Sequence, residues 1–151
     1  MFCGWYTILM DEKKFDILKT EFLLTQQQMD KYDQSSTTIK AWAVTLWVAS
    51  AGWAFQSNKK EIILLSIVLV LTFWFFDGIN KTFRTNYKKR RDEIAIVLNK
   101  VFKGEEIPSQ VISPNLPKYD LHPALKYAFT PHIALPYVVF LLLSLVFYFI
   151  N

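Results

Sequence analysis

The chain has 151 residues and a formal net charge of +4 at pH 7, and 52% of its residues are hydrophobic. This length leaves room for one domain, and an aromatic content of 17% is high for a soluble one. The single cysteine, Cys3, excludes an intramolecular disulfide and a metal cluster built from thiols. Because no nucleophile, phosphate-binding or zinc motif appears either, we predict neither an enzyme nor a cofactor.

The N-terminal region, residues 1–37, is predicted to form a cytoplasmic helix. Its first ten residues are apolar but lack a positively charged start, so we expect a short interfacial anchor or a packed segment instead of a cleaved signal peptide. Apolar residues then recur at spacings of three and four, which is typical of a helix that packs along one seam. This seam comprises Phe15, Leu18, Phe22, Thr25, Met29 and Tyr32.

Three later stretches carry no charge: residues 41–56, 62–76 and 133–150. A helix needs about 17 to 25 residues to cross a bilayer. The third stretch reaches that length unaided, and the first two reach it with their flanking residues. A soluble bundle is the alternative, but a chain this short cannot enclose three such helices in protein.

The chain is therefore predicted to be an all-α integral membrane protein with three transmembrane helices. The first two spans, at about residues 38–56 and 61–79, form a hairpin over residues 38–79 that continues into a cytoplasmic antiparallel helical pair. The third transmembrane helix covers residues 131–151.

The hairpin turn is centred between Asn58 and Lys59, which sets the register of the two helices. Lys40 then lies level with Asp77 near the cytoplasmic membrane boundary, where an ionisable residue usually faces a partner or water. We predict an ion pair between them; the alternative is that each side chain reaches the interface separately. The same register places Phe15 level with Phe102.

Two faces of the first span are lined by small residues, which allow membrane helices to approach closely. The residues of one face lie along one line of the helix. We expect this face to be either a packing surface or the lining of a narrow, weakly selective pore. It comprises Ala41, Thr45, Ala49, Gly52 and Gln56. Ala43, Ser50 and Ala54 cluster on the opposite side, so we expect two close neighbours: the second span, and either the third span or another copy of the protein.

A basic helix over residues 80–103 should follow the second span and stop at Gly104, a good C-terminal cap. Its apolar seam comprises Ile79, Phe83, Tyr87, Ile94, Leu98 and Val101. Six cations form a basic cluster at the membrane surface: Lys81, Arg84, Lys88, Lys89, Arg90 and Arg91. Nucleic acid is a less favoured partner for this cluster than the anionic headgroups of the lipid bilayer.

The segment between the second and third spans carries ten Lys and Arg residues, whereas the hairpin turn carries two. Cations collect on the cytoplasmic side, which predicts a cytoplasmic N-terminus and a C-terminus outside. The part of this segment over residues 104–130 holds four prolines, so we expect an extended cytoplasmic connector with a short helix before Pro131.

Two stretches together resemble a known family: KYDQSSTTIKAWAVT, residues 31–45, and FWFFDGINKTFRTNYKKRRDEI, residues 73–94. They are similar to the two-span SLATT-type effectors that are encoded beside antiviral systems such as retrons and cyclic-nucleotide systems. The resemblance covers about residues 15–100, and the third span and the connector depart from the two-span plan. It implies a protein that oligomerises and breaches the bacterial inner membrane when a sensor releases it.

These observations favour a membrane effector that assembles as a homo-oligomer in the bacterial inner membrane and alters its permeability, in antiviral defence or toxin-like growth arrest. A cytoplasmic sensor or regulatory protein is the expected partner. The alternative is a membrane anchor, adaptor or accessory subunit that recruits a soluble protein through its cytoplasmic segments without forming a pore.

Overall fold

The computed structural model describes residues 3–105 and 121–150, and the side chains of 12–105 and 123–150. The described elements are all helices: α1 (Cys3–Ser57), α2 (Lys60–Phe102), α3 (Leu121–Ala128) and α4 (Pro131–Ile150). The all-α class is thereby confirmed. The predictions for the side chains of the first ten residues and for residues 106–120 of the connector lie outside the described residues.

Both long helices end where a residue adopts the left-handed conformation. Gly104, at a φ of 84°, follows α2, and Asn58, at a φ of 51°, follows α1. The amide of Glu105 donates to the carbonyl of Lys100, and the amide of Gly104 donates to that of Val101, as in a Schellman motif. The predicted stop of α2 at Gly104 is confirmed, because glycine takes this conformation without steric strain.

The chain divides into two compact units. Unit 1 contains Met1–Lys31 and Arg84–Lys118, and unit 2 contains Tyr32–Phe83 and Tyr119–Asn151. Each unit therefore takes part of α1 and part of α2.

Unit 1 is held together by the predicted apolar seam. Leu18 on α1 and Ile94 and Val97 on α2 form a buried core, and the half-buried side chains packed around it are Phe15, Phe22, Leu98 and Val101. The rings of Phe15 and Phe102 meet edge to face with centroids 6.1 Å apart, so the predicted level pairing of these two residues is confirmed.

Unit 2 packs α1, α2 and α4 around two small cores. The larger core joins Ala43 and Trp47 of α1, Val70 of α2, and Ile133 and Tyr137 of α4. The other core contains Ala54, Ile62 and Ile63, with Phe147 and Tyr148 of α4 packed against it.

Two of the described helices, α2 and α4, are long and apolar enough to cross a membrane. In their most apolar stretches only 33% of the α2 residues and 17% of the α4 residues are buried, whereas a core helix of a soluble protein is mostly buried. The segment of α1 predicted as the first span, 38–56, is less apolar than these two stretches. It contains tryptophan and small residues at many positions where α2 and α4 have branched aliphatic residues. The three-span arrangement stays a prediction.

Candidate functional site

A buried carboxylate joins three helices of unit 2. Asp77 on α2 is 1% exposed, and its Oδ1 accepts a hydrogen bond from Ser36 Oγ at 2.6 Å. Lys40 Nζ lies 3.4 Å from Asp77 Oδ2, and Tyr137 OH of α4 donates to the same oxygen at 3.3 Å. Lys40 Nζ also donates to Ser36 Oγ at 3.3 Å, so the four side chains form one connected group, the Asp77 junction.

The predicted partners Lys40 and Asp77 are thus brought together. A carboxylate out of water is costly unless it is paired and hydrogen-bonded, and three donors surround this one. Lys40 remains 33% exposed, so its ammonium group keeps contact with the surroundings while it neutralises Asp77.

Sequence reasoning missed Ser36 and Tyr137 as members of the junction. Ser36 carried a usable signal, because it lies four residues before Lys40 and therefore on the same face of α1. Tyr137 carried none, since nothing in the sequence fixes which face of α4 meets the hairpin.

The short helix α3 lies against α2 just before this junction. Trp74 Nε1 donates to the carbonyl of Ala128 at 2.7 Å. A Cβ at Gly78 would lie 2.9 Å from both the Ala124 carbonyl oxygen and the Ala128 Cβ, so only glycine allows this approach. The Asp77-Gly78 pair therefore combines a polar contact with a close backbone contact.

α4 attaches to α1 through an aromatic cluster with one polar link. Trp47 Nε1 donates to Ser144 Oγ at 2.8 Å, and both side chains are buried. The indole ring also packs on Phe140 and Phe147, with centroids 5.1 and 5.9 Å away. Phe55, eight residues after Trp47, meets Phe147 edge to face.

The two small faces predicted for the first span have different environments. The predicted packing or pore face is exposed along its whole length, and we call it the open face: Ala41, Thr45, Ala49, Gly52 and Gln56. Nothing lies within 4 Å of a Cβ built on Gly52. The opposite residues Ala43, Ser50 and Ala54 are buried. Both α2 and α4, the neighbours expected within the chain, pack on this buried side of α1, and the open face has no neighbour within the described part of the chain.

The predicted basic cluster does not form a single surface. Lys88 and Lys89 are exposed, Lys81, Arg84 and Arg91 are half-buried, and Arg90 is buried. The Arg90 position differs from the prediction because this residue lies on the apolar seam, three residues after Tyr87 and four before Ile94.

Arg90 is held in unit 1 by a bidentate ion pair. Its Nε and Nη2 donate to Glu21 Oε1 and Oε2 at 2.8 and 3.0 Å, and its Nη1 donates to Glu93 at 3.4 Å. The hydrogen bond with Glu21 raises the pKa of Arg90 still further above its ordinary, already high value. A raised pKa of a cation stabilises the fold at every pH below the ordinary pKa, and this stabilisation is lost only as the pH rises through the raised one. It is therefore constant at physiological pH.

Among the described residues, no group of three or more His, Cys, Asp or Glu side chains could hold a metal ion. No family model, no curated protein and no solved structure matches this chain. The resemblance to SLATT-type effectors stays a prediction based on residues 31–45 and 73–94.

Proposed function

We propose that this chain is an integral membrane protein that self-assembles and alters the permeability of the bacterial inner membrane. The supporting observation is the distribution of exposed large apolar side chains in unit 2. Apart from Leu125 and Phe129 at α3, they fall in three charge-free belts, one on each long helix of the unit: Trp42, Val44, Val48, Trp53 and Phe55 on α1; Leu64, Leu65, Val68, Leu71, Phe75 and Phe76 on α2; Leu135, Val138, Val139, Leu142, Leu143, Leu145, Val146, Phe149 and Ile150 on α4.

Large apolar side chains exposed in such number along three helices are rare on a monomeric soluble protein. Lipid is the solvent that fits this surface. The exposed belt on α1 supports a span there too, although the composition of α1 alone indicates a span less strongly than that of α2 or α4. The charge distribution supports the orientation: ten cations separate the second and third spans and two lie in the hairpin turn. The N-terminus is then cytoplasmic and the C-terminus is outside.

Self-assembly uses the open face of α1. Ala41, Thr45 and Ala49 repeat at intervals of four residues, as do Gly52 and Gln56, and small residues at this spacing let two membrane helices approach closely. Gln56 is also a polar side chain on a surface that faces lipid in a single copy, and a second copy offers it a hydrogen-bonding partner. Copies that share one orientation bring these faces together in parallel.

The effect on permeability follows from assembly and from the resemblance to SLATT-type effectors. A ring of copies with the open face inward places Thr45 and Gln56 along a narrow, uncharged lumen. A tighter assembly uses the same face for packing alone, and disturbs the bilayer without a lumen. The trigger is a cytoplasmic sensor or regulatory protein acting in antiviral defence or toxin-like growth arrest.

Expression of the protein in bacteria loaded with a membrane-potential dye tests this function. We expect the wild type to depolarise the membrane and Gly52→Leu to abolish depolarisation, because the added side chain blocks close approach of a second helix and its Cβ enters open space in a single copy. Val68→Leu, a change at an exposed position of α2, is the matched control and should retain activity. Absence of depolarisation by the wild type, even with its neighbouring genes present, contradicts the proposal.

A second candidate function is a membrane adaptor that recruits a soluble protein. It is favoured by the exposed apolar side chains of unit 1, the part predicted to lie in the cytoplasm: Ile17, Leu23, Leu24, Ile96 and Phe102. An adaptor requires no depolarisation and predicts that Leu24→Ser abolishes co-purification of the partner while Gly52→Leu does not.

A further inference from the structure

The short helix α3 turns its large apolar side chains away from the protein. Ala124 and Ala128, one turn apart, are buried where the helix meets Gly78 of α2. Leu125 and Phe129, also one turn apart, are 52% and 70% exposed. A helix on the surface of a soluble protein turns its large apolar side chains toward the core, so this arrangement is the reverse of the one that water favours.

The contacts between α3 and α2 place α3 at the end of an exposed apolar belt. Trp74 Nε1 donates to the carbonyl of Ala128, and the Trp74 ring meets Phe129 edge to face with centroids 5.3 Å apart. The exposed belt of α2 ends at Phe76, and Lys81 is the first cation beyond it. α3 therefore lies beside the residues where α2 changes from apolar to charged, which is where a membrane surface is expected.

The joint between α3 and α4 independently places α3 at the same level. Thr130 links the two helices: its amide donates to the carbonyl of Tyr127, and its carbonyl accepts from the amides of Ile133 and Ala134. α4 has 20 residues, and a helix of this length spans about 30 Å, the thickness of the hydrocarbon core of a bilayer. If α4 crosses the membrane, it uses its whole length to do so, and α3 lies at the boundary.

The exposed side of α3 also carries a cation. Lys126 is exposed next to Leu125. A lysine at the membrane surface keeps its aliphatic chain along apolar groups while its ammonium group reaches outward to the phosphates. The proposed topology puts this end of α4 on the cytoplasmic side, where anionic lipids attract cations. Exposed apolar side chains beside a cation are typical of a helix that lies in the membrane surface.

We propose that α3 is a lipid-binding helix in the cytoplasmic surface of the membrane, with Leu125 and Phe129 among the acyl chains and Lys126 at the headgroups of anionic phospholipids. α3 then holds the end of the connector at the membrane and sets the depth of α4. The inference rests on the proposed function, which places unit 2 in the membrane, and adds an anionic phospholipid as the ligand of one helix.

The test locates single fluorescent dyes on the full chain in vesicles of phosphatidylcholine and phosphatidylglycerol. In a Cys3→Ser background, the dye is attached at Phe129→Cys, Phe102→Cys or Leu142→Cys. Phe102 of unit 1 is 77% exposed and is the matched control for a position in water, whereas Leu142 is 58% exposed on α4 and reports on the span itself. Quenching by lipids with brominated acyl chains and by aqueous iodide locates each dye.

We expect brominated lipid to quench the dye at Leu142→Cys and at Phe129→Cys, and to leave the dye at Phe102→Cys unquenched. Because Phe129 lies at the boundary, bromine close to the headgroup should quench its dye more than bromine close to the chain end. The order should reverse at Leu142→Cys. Iodide should quench mainly the dye at Phe102→Cys.

The headgroup is tested by the lipid that carries the bromine. At equal fractions, brominated phosphatidylglycerol should quench the dye at Phe129→Cys more strongly than brominated phosphatidylcholine. One cation close to an anionic surface changes lipid association about fivefold, so Lys126→Gln should lower this preference by about that factor. Lys103→Gln, at an exposed lysine of unit 1, is the control and should leave the preference unchanged. An unchanged preference in Lys126→Gln contradicts the binding of anionic headgroups.

The proposed function and the lipid-binding helix fail separately. If lipid does not quench the dye at Leu142→Cys, unit 2 is not in the membrane and the proposed function is wrong. If lipid quenches that dye but quenches Phe129→Cys no more than Phe102→Cys, the lipid-binding helix is wrong and the membrane location stands. A dye at Phe129→Cys that is shielded from both quenchers until the protein is diluted in lipid means that a second copy covers α3, which also contradicts the inference.

Discussion

The two units contain different parts of α1 and α2, and they bury different kinds of side chain. Unit 1 buries an apolar seam around Leu18 and Ile94, as a protein does in water, and neutralises its one buried guanidinium, Arg90, with Glu21. Unit 2 has two small apolar cores but exposes many more of its large apolar side chains, and it buries polar ones, including Asp77, Ser66 and Ser144. Single helices therefore change their pattern of burial along their length, which is expected if the solvent changes from water to lipid.

If unit 1 lies in water and the belts of unit 2 face lipid, as we propose, different interactions hold the two units together. In unit 1 the hydrophobic effect favours burial of the apolar seam, and the ion pair fixes which residues face each other. In unit 2 the hydrophobic effect does not favour association of helices in lipid, so close contacts at small residues and hydrogen bonds between helices hold them. Changes of polar residues should therefore destabilise unit 1 through buried charge, and should loosen helix contacts in unit 2.

The largest expected effect of a single substitution is that of Glu21→Ala. It removes the bidentate partner of the buried Arg90 guanidinium, so we expect a loss of about 2 to 3 kcal/mol, somewhat below the value for a fully buried pair. Thermal unfolding followed by circular dichroism measures it. Glu93→Ala, at an exposed carboxylate, is the control and should cost about 0.5 kcal/mol or less. Equal effects of the two variants would mean that Arg90 does not depend on Glu21.

A smaller effect is expected from Asp77→Asn at the junction of unit 2. The substitution removes the negative charge that faces Lys40 but keeps the side-chain volume, and we expect a loss of about 1 to 2 kcal/mol. Lys40→Met in the same chain removes the unpaired ammonium group and should recover part of the loss. Unfolding in lipid nanodiscs checks both variants; unchanged stability and unchanged assembly of Asp77→Asn would remove the basis for a register-setting ion pair.

The smallest effect distinguishes two glycines of unit 2. Gly52→Ala should stabilise α1 by up to about 1 kcal/mol, because alanine is the better helix former and nothing contacts the new methyl group. Gly78→Ala gains the same propensity but presses its methyl group on Ala124 and Ala128, so we expect a net loss of about 1 kcal/mol. If Gly52→Ala raises and Gly78→Ala lowers the free energy of unfolding in lipid nanodiscs, the close approach of α3 is supported. A Gly78→Ala variant more stable than the wild type contradicts it.

The contacts that depend on register could be predicted from the sequence, because one short turn fixes them. The turn at Asn58 set Lys40 against Asp77, and the same spacing set Phe15 against Phe102. The end of α2 was equally predictable, since Gly104 marks the left-handed cap.

The contacts that depend on the rotation of a separate helix could not be predicted. Nothing in the sequence ties α4 to a particular face of α1, so the pairing of Trp47 with Ser144 and of Tyr137 with Asp77 was not anticipated. Arg90 was different: its position on the seam was visible in the spacing, but it was interpreted as one member of a group of six cations. A charged residue at a position of an apolar seam indicates a buried ion-pair partner more strongly than an exposed binding surface.

The central claim is that unit 2 lies in the membrane with three spans, and the location of the C-terminus tests it most directly. An alkaline phosphatase fused after Asn151 is active only outside the cytoplasm, and three spans from a cytoplasmic N-terminus place it there. The account predicts an active phosphatase at this position and an inactive one after Gly104. An inactive enzyme at the C-terminus, together with a fluorescent cytoplasmic reporter fused at the same site, would contradict it.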